Sequence, residues 1–266
     1  MVNHVLYLNH KISFSDEGEG KVIVLIHGFL ESREIWLNYI EILSKKYRVI
    51  AIDLPGHGRS DVFYKIHSME MMAKAVKHVL DVLEIKKCVM AGHSMGGYVT
   101  LAFAELFARQ LKGVAMINSS TLADSIEKKK DRLRAVELIQ NDRLNYITEL
   151  INKLFAQENL KKFKKEGDEL KRIARNTRKD GATAALLGMR ERHDRTTILQ
   201  QIKVPFFFVY GMKDIVVSFE KNLPLAMLPK KNYISISEHS GHLSFIEDRE
   251  TTLIKFKEFL KICYKK

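Results

Sequence analysis

The stretch Cys88-Val89-Met90-Ala91-Gly92-His93-Ser94-Met95-Gly96-Gly97-Tyr98-Val99-Thr100-Leu101-Ala102 passes from a short apolar run through Gly-x-Ser-x-Gly into an Ala-rich run at helical spacing. That order reads as strand, sharp turn and helix, with Ser94 at the apex. Gly92 and Gly96 lack side chains, so strand and helix can approach closely beside the serine. The turn forces strained backbone angles on Ser94 and holds its hydroxyl beyond the sheet edge. The Met95 amide falls at a helix N-terminus, where backbone donors are unpaired and the dipole is positive. A nucleophile beside an anion-stabilising amide is half of an acyl-transfer site.

Upstream, Val22-Ile23-Val24-Leu25-Ile26 is the continuous β-branched run expected of a parallel strand buried on both faces. It ends in His27-Gly28-Phe29. A loop there supplies a second oxyanion donor, assigned to the backbone N–H of Phe29. Gly28 lets the loop bend, and His27 props it by hydrogen bonding. The opening residues Met1 to Leu6 read as a short strand. Residues 4–8 and 11–15 alternate in polarity around Asn9-His10, which reads as a hairpin, and residues 16–20 as a turn. Ser32 to Ser44 reads as a helix capped by Ser32, with Ile35, Trp36, Tyr39, Ile40 and Leu43 on one face. Val49–Ile52 is the next strand. The loop Asp53–Asp61 is dense in turn formers, so its His57 reads as structural. Ser68 to Leu83 is a second amphipathic helix.

Downstream, Lys112 to Ile117 is a strand closed by Asn118-Ser119-Ser120. From residue 121 to 198 the composition turns charged and helical and is almost free of Gly and Pro. Leu133, Val136 and Ile139, then Ile147, Leu150, Ile151 and Leu154, recur at helical spacing. Three or four amphipathic helices are expected here, inserted as a cap over the strand ends. The organisation is therefore a first core part at 1–120, a helical cap at 121–198 and a second core part at 199–266. In that last part Phe206–Tyr210 is a buried strand, and a helix follows over 218–228. Tyr233–Ile236 is the final strand, and Phe245 to Tyr264 closes the chain as a helix.

Strands alternating with helices define an α/β fold with a mostly parallel central sheet covered by helices on both faces. Sites on such sheets lie beyond the carboxyl ends of the strands. Ser94, Asp214 and His242 each follow a strand and converge at one edge. A serine hydroxyl is a poor nucleophile at neutral pH and needs a base. His242 takes that role, Asp214 holds its tautomer, and the N–H groups of Phe29 and Met95 form the oxyanion hole. Asp124 is the reserve acid, and Asp214 has the alternative reading of a helix cap. His239 and Glu238 compete less well, because Ser-Gly-His-Leu is the better setting for a catalytic histidine.

With those residues in hand, the chain resembles the α/β-hydrolase superfamily, in particular small capped serine hydrolases of carboxylesterase type. The matching pieces are His27-Gly28-Phe29, Asp53-Leu54-Pro55-Gly56-His57-Gly58-Arg59-Ser60, Gly92-His93-Ser94-Met95-Gly96-Gly97, Gly211-Met212-Lys213-Asp214 and Gly241-His242. They span both core parts; the cap matches nothing that can be named. The resemblance implies a serine esterase that cleaves small carboxylic esters through an acyl-enzyme, with no cofactor and no metal. Haloalkane dehalogenases and epoxide hydrolases of this superfamily carry aspartate where Ser94 stands. Carbon–carbon bond hydrolases and related acyl hydrolases or lyases share these motifs and stay open, with Arg190 or Arg192 as carboxylate ligands. A third possibility is a receptor that retains the three residues and signals through its cap.

Composition bounds the partners. The 266 residues suffice for a large core, and 46% are hydrophobic. No run approaches the ~18 apolar residues of a membrane span, and the N-terminus lacks the pattern of a signal peptide. Two cysteines, Cys88 and Cys263, build no disulfide framework. A soluble, cytoplasmic protein is expected. The net charge of +12 raises nucleic-acid binding. However, no nucleic-acid motif accompanies the lysines, so they read as a solvated helical face. The expected partner is a small-molecule ester, with no nucleic acid and no membrane; oligomeric state is left open.

Overall fold

The apolar runs become the interior of one sheet. A computed structural model describes residues 2–265, so the part of the opening strand read at Met1 lies outside the described residues, as does Lys266. Eight strands are ordered β1-β2-β4-β3-β5-β6-β7-β8. They are β1 Val2–Tyr7, β2 His10–Glu17, β3 Val22–Ile26, β4 Arg48–Ile52, β5 Cys88–His93, β6 Leu111–Ile117, β7 Phe206–Gly211 and β8 Asn232–Ser237. The β1–β2 hairpin joins β4 antiparallel, and every other pairing is parallel. All residues of β3, β5 and β7 are buried, in keeping with their largely apolar sequences.

Helices cover both faces. Helix α1 (Leu37–Leu43) packs on β4, α2 (Met69–Val82) packs on α3 (Met95–Phe107), and α3 packs on β3, β5 and β6. The long closing helix α11 (Arg249–Tyr264) packs on β6, β7 and β8. Ser68 caps α2 by accepting the Met71 amide at 3.2 Å. Cys88 and Cys263 are both free and buried.

Three local expectations are revised. The helix expected from Ser32 starts as a 3₁₀ turn at Arg33–Trp36 before α1. Its first turn is held by Asp53, which accepts the Arg33 amide at 2.8 Å and pairs with the Arg33 guanidinium. The turn expected at 16–20 begins later, because β2 stays paired with β4 out to Glu17 opposite Val49. Asp16 there receives Arg48 in a two-point contact at 2.9 and 2.7 Å. The closing helix is interrupted at Asp248, which leaves a short α10 (Ser244–Glu247) before α11.

Four long helices lie between β6 and β7: α4 (Ile126–Asn141), α5 (Arg143–Leu154), α6 (Lys164–Asn176) and α7 (Lys179–Arg190). A short α8 (Ile198–Gln201) leads back to the sheet, and α9 (Phe219–Ala226) separates β7 from β8. Helix α7 is pressed onto the core. A Cβ at Gly181 would overlap the Gly56 carbonyl, and one at Gly188 would overlap that of His67. The His67 amide donates to the Ala184 carbonyl at 2.9 Å. Helix α5 ends against the loop after β8, where the His242 amide donates to the Leu154 carbonyl at 2.7 Å. Among the described residues, no helix is long and apolar enough to cross a membrane.

Candidate active site

Ser94 sits between β5 and α3 with φ 50° and ψ −116°, a left-handed conformation that a residue with a side chain rarely adopts. The surroundings hold it there. Its amide donates to the Ile117 carbonyl at 3.0 Å, and its carbonyl accepts the Gly97 amide at 2.9 Å and the Ser119 hydroxyl at 2.7 Å. The flanking glycines are required by space. A Cβ at Gly92 would overlap the Gly96 carbonyl, and one at Gly96 would stand 2.5 Å from the Ile26 carbonyl oxygen at the end of β3.

Asp214 and His242 reach the same point from the loops after β7 and β8. The Nε2 atom of His242 is 2.8 Å from Ser94 Oγ, and its Nδ1 is 2.7 Å from Asp214 Oδ2. A carboxylate opposite Nδ1 fixes the proton there, so Nε2 carries the lone pair that faces the serine hydroxyl. Asp214 Oδ1 accepts the amides of Val216 and Val217 at 2.8 Å each. Burial opposes ionisation of this carboxyl; the adjacent imidazole and the two amides outweigh it and hold the group below its ordinary value. The loop reading of Asp214 as a cap and the reading as a partner of His242 are thus both visible, one on each oxygen.

The two amides singled out are both without a protein acceptor among the described residues. Phe29 N–H has no acceptor among the described residues. Met95 is the first residue of α3, so its N–H has no helical acceptor. His27 does prop the loop: its Nδ1–H donates to the Gly28 carbonyl at 2.7 Å, and its Nε2 accepts the Leu54 amide at 2.9 Å.

The reserve residues are elsewhere engaged. Asp124 meets Arg132 at 3.1 Å and Arg192 at 2.7 Å, not His242. Arg190 pairs with its neighbour Glu191. His57 is buried, and burial pushes its imidazole well below the usual range; its Nδ1 faces the Pro55 carbonyl at 3.2 Å. His239 and Glu238 are exposed.

Sequence reasoning missed three features. Asn118, the residue after β6, donates from Nδ2 to Asp214 Oδ2 at 3.2 Å and to the Gly241 carbonyl at 3.1 Å, and its Oδ1 accepts the Ser244 amide at 3.2 Å. One side chain thereby ties the acid loop to the histidine loop. Glu31 and His93 form a buried pair behind Ser94. A polar residue next to Ser94 at the end of an apolar strand was the available signal for His93; nothing in the local pattern marks Glu31. Glu247 adds a further brace, accepting Gly241 N–H at 2.8 Å, Ala156 N–H at 2.9 Å and Asn159 Nδ2 at 2.7 Å.

Comparisons with known proteins agree with this architecture. A family model for the alpha/beta hydrolase fold matches residues 21–249. The chain is 34% identical over 258 residues to the dihydrolipoyllysine-residue acetyltransferase component of an acetoin cleaving system from Pseudomonas putida. That match covers 92% of this chain and 65% of the relative, so the chain spans about two thirds of that protein's length. It is 27% identical to a pimeloyl-[acyl-carrier protein] methyl ester esterase of Wigglesworthia glossinidia brevipalpis, covering 85% of this chain and 90% of the relative. Among solved structures, a thermophilic esterase from Thermogutta terrifontis with malate bound superimposes with a TM-score of 0.92 at 29% identity, covering 96% of this chain and 95% of that one.

Proposed function

The chain belongs to the alpha/beta hydrolase fold family, and within it we propose a serine hydrolase that cleaves small carboxylic esters through an acyl-enzyme. One observation carries the reading: His242 Nε2 is 2.8 Å from Ser94 Oγ while its Nδ1 is 2.7 Å from Asp214 Oδ2. Those are hydrogen-bond distances for a base to take the hydroxyl proton and for a carboxylate to stabilise the resulting imidazolium. Ser94 Oγ attacks the ester carbonyl, and His242 takes its proton and passes it to the departing alcohol. Water then attacks the acyl-enzyme carbonyl while His242 takes one of its protons; the bond to Ser94 Oγ breaks, His242 returns that proton to Oγ, and the carboxylic acid leaves. The oxyanion is met by the amides of Phe29 and Met95, each worth about 3–4 kcal/mol on precedent.

The helices between β6 and β7 act in this reading as a cap at 121–198, set between core parts 1–120 and 199–266. Their role is to shape the pocket for the acyl and alcohol groups of a small-molecule substrate. The contact of Leu154 with the His242 amide supports that role, since it brings the segment to the reacting residues.

The test is direct. A fluorophosphonate label should attach to Ser94, located by mass spectrometry, and Ser94→Ala should abolish both labelling and turnover of a p-nitrophenyl acyl ester with folding intact. Undiminished turnover by Ser94→Ala would refute the proposal.

A further inference from the structure

We infer that the cavity beside the Asp214 loop is an anion subsite, which takes the second carboxylate of a substrate that is a hemiester of a short dicarboxylic acid. The inference rests on the ester-hydrolase reading above and names its substrate class.

The cavity encloses about 260 Å³ between the start of α4, the first turns of α3 and the loop after β7. Its charged lining consists of Lys128, Arg192 and Lys221, with Ser120 and Ser125 beside them; the Ser218 hydroxyl on the same wall donates to Glu220 Oε2 at 2.8 Å. No carboxylate lines it. Four other cavities in the described residues each include at least one acidic side chain in their walls. The general excess of lysine therefore does not account for the contrast.

Arg192 is the built part of the site. Its side chain is only 4% exposed, and its guanidinium carbon lies 4.0 Å from the centroid of the Tyr98 ring. Nε donates to the Leu122 carbonyl at 3.1 Å, and Nη1 donates to the Met189 carbonyl at 3.0 Å and meets Asp124 Oδ1 at 2.7 Å. Nη2 has no partner among the described residues. A rigid, nearly buried guanidinium with two spare donors on a cavity wall is a carboxylate receptor in wait of its ligand. Asp124 does not cancel the charge, because Arg132 shares it at 3.1 Å and the trio keeps a net positive charge. The Lys128 ammonium donates to the Val216 carbonyl at 2.9 Å, a neutral acceptor, and Lys221 has no ion-pair partner among the described residues.

The cavity walls come from segments that adjoin Ser94 and Asp214 in the chain. Ser120 follows Ser119, whose hydroxyl donates to the Ser94 carbonyl. Val216 and Val217 line the cavity and give their amides to Asp214. Tyr98 stands one turn beyond Ser94 on α3. A short acyl chain with its ester carbonyl at Ser94 can direct its far carboxylate here, and hydrolysis consumes one water to give the dicarboxylate, the alcohol and a proton.

The experiment compares monomethyl glutarate with methyl butyrate by pH-stat. Wild type should show at least a tenfold higher kcat/KM for the hemiester, a preference that falls as salt is raised. The double variant Lys128→Ala/Lys221→Ala should lose most of that preference, read as the ratio between the two esters, while Lys130→Ala on the same helix should keep it. In parallel, calorimetry measures binding of glutarate and of inorganic phosphate to Ser94→Ala with and without the double substitution. A wild-type ratio near one overturns the inference and leaves ester hydrolysis standing. Phosphate binding as tight as glutarate, without a hemiester preference, makes this a site for a free anion and also overturns it. Glutarate binding that the double substitution abolishes, in a protein that hydrolyses neither ester, supports the subsite and sinks the ester reading instead.

Discussion

Nδ1 of His93 lies 2.9 Å from Oε2 of Glu31, with each side chain 1% exposed, directly behind Ser94 and His242. The same Glu31 oxygen accepts the Gly28 amide at 2.5 Å, and Nε2 of His93 faces the His242 carbonyl at 2.9 Å. Both ring nitrogens therefore face acceptors, which requires an imidazolium against a carboxylate. The pair connects the Phe29 loop, the Ser94 turn and the His242 loop. Glu31→Ala should destabilise the fold by about 3–5 kcal/mol, the usual cost of removing one partner from a buried pair. It should also lower kcat/KM by on the order of 10²-fold through misplacement. Urea unfolding and ester kinetics check this; a variant within about 1 kcal/mol of wild type would show that the pair bears no strain of the site.

The same pair predicts a stability maximum in mildly acidic solution. Burial disfavours the charge on His93, but the Glu31 carboxylate and the His242 carbonyl outweigh it and raise its pKa above the ordinary 6.5. That contribution is complete below 6.5 and disappears as pH rises through the folded-state value. Burial likewise opposes ionisation of Glu31, and His93 with the Gly28 amide overcomes it, lowering its pKa below the ordinary 4.5. That contribution is complete above 4.5 and disappears as pH falls through the folded-state value. Both are complete together between 4.5 and 6.5. Unfolding free energy against pH should thus lose a maximum in that window when Glu31 and His93 are replaced together, for example by Gln and Asn.

Backbone strain at Ser94 makes a separate prediction. With φ at 50° the position favours glycine, and such conformations cost roughly 1–3 kcal/mol in other residues. Ser94→Gly and Ser94→Ala both remove the hydroxyl, so their difference isolates the backbone. The glycine variant should be the more stable by about 1 kcal/mol, after its larger unfolded-state entropy is counted. Equal melting temperatures for the two would mean that the turn stores no strain.

Asp214→Asn tests the tautomer argument. The amide keeps the shape and can still accept one loop amide, but it no longer demands a proton on His242 Nδ1. A fall in kcat of about 10⁴-fold is expected on precedent, with near-native melting. A loss below tenfold would reassign Asp214 to holding its own loop through Val216 and Val217.

Much of this architecture is legible in the chain because short-range signals set it. Continuous apolar runs at Val22–Ile26 and Cys88–Met90 suit strands buried on both faces. Glycines flanking Ser94 point to a turn too tight for side chains. Ser94, Asp214 and His242 follow from their positions after strands, and the structure brings all three together. What stayed hidden depends on long-range packing. Glu31 stands in a polar stretch, Glu31-Ser32-Arg33-Glu34, that reads as surface until the sheet edge and His93 close over it. Arg192 and Asp124 find each other only across the helices between β6 and β7. The 3₁₀ start at Arg33 is likewise imposed by Asp53, twenty positions away in sequence.

Helix α5 ends on the His242 backbone, while α7 sits flush on the Gly56 and His67 carbonyls. Anyone exchanging these helices for those of a relative, to borrow its selectivity, would also be exchanging the mount of His242, the proposed general base. A graft that preserves the two joints but omits the partners of Glu247 at Ala156 and Asn159 should acquire the donor's pocket with a displaced imidazole. On the proposed function, specificity and reactivity are then not separable modules, and transplants need to carry the α5 terminus and the Glu247 brace as one unit.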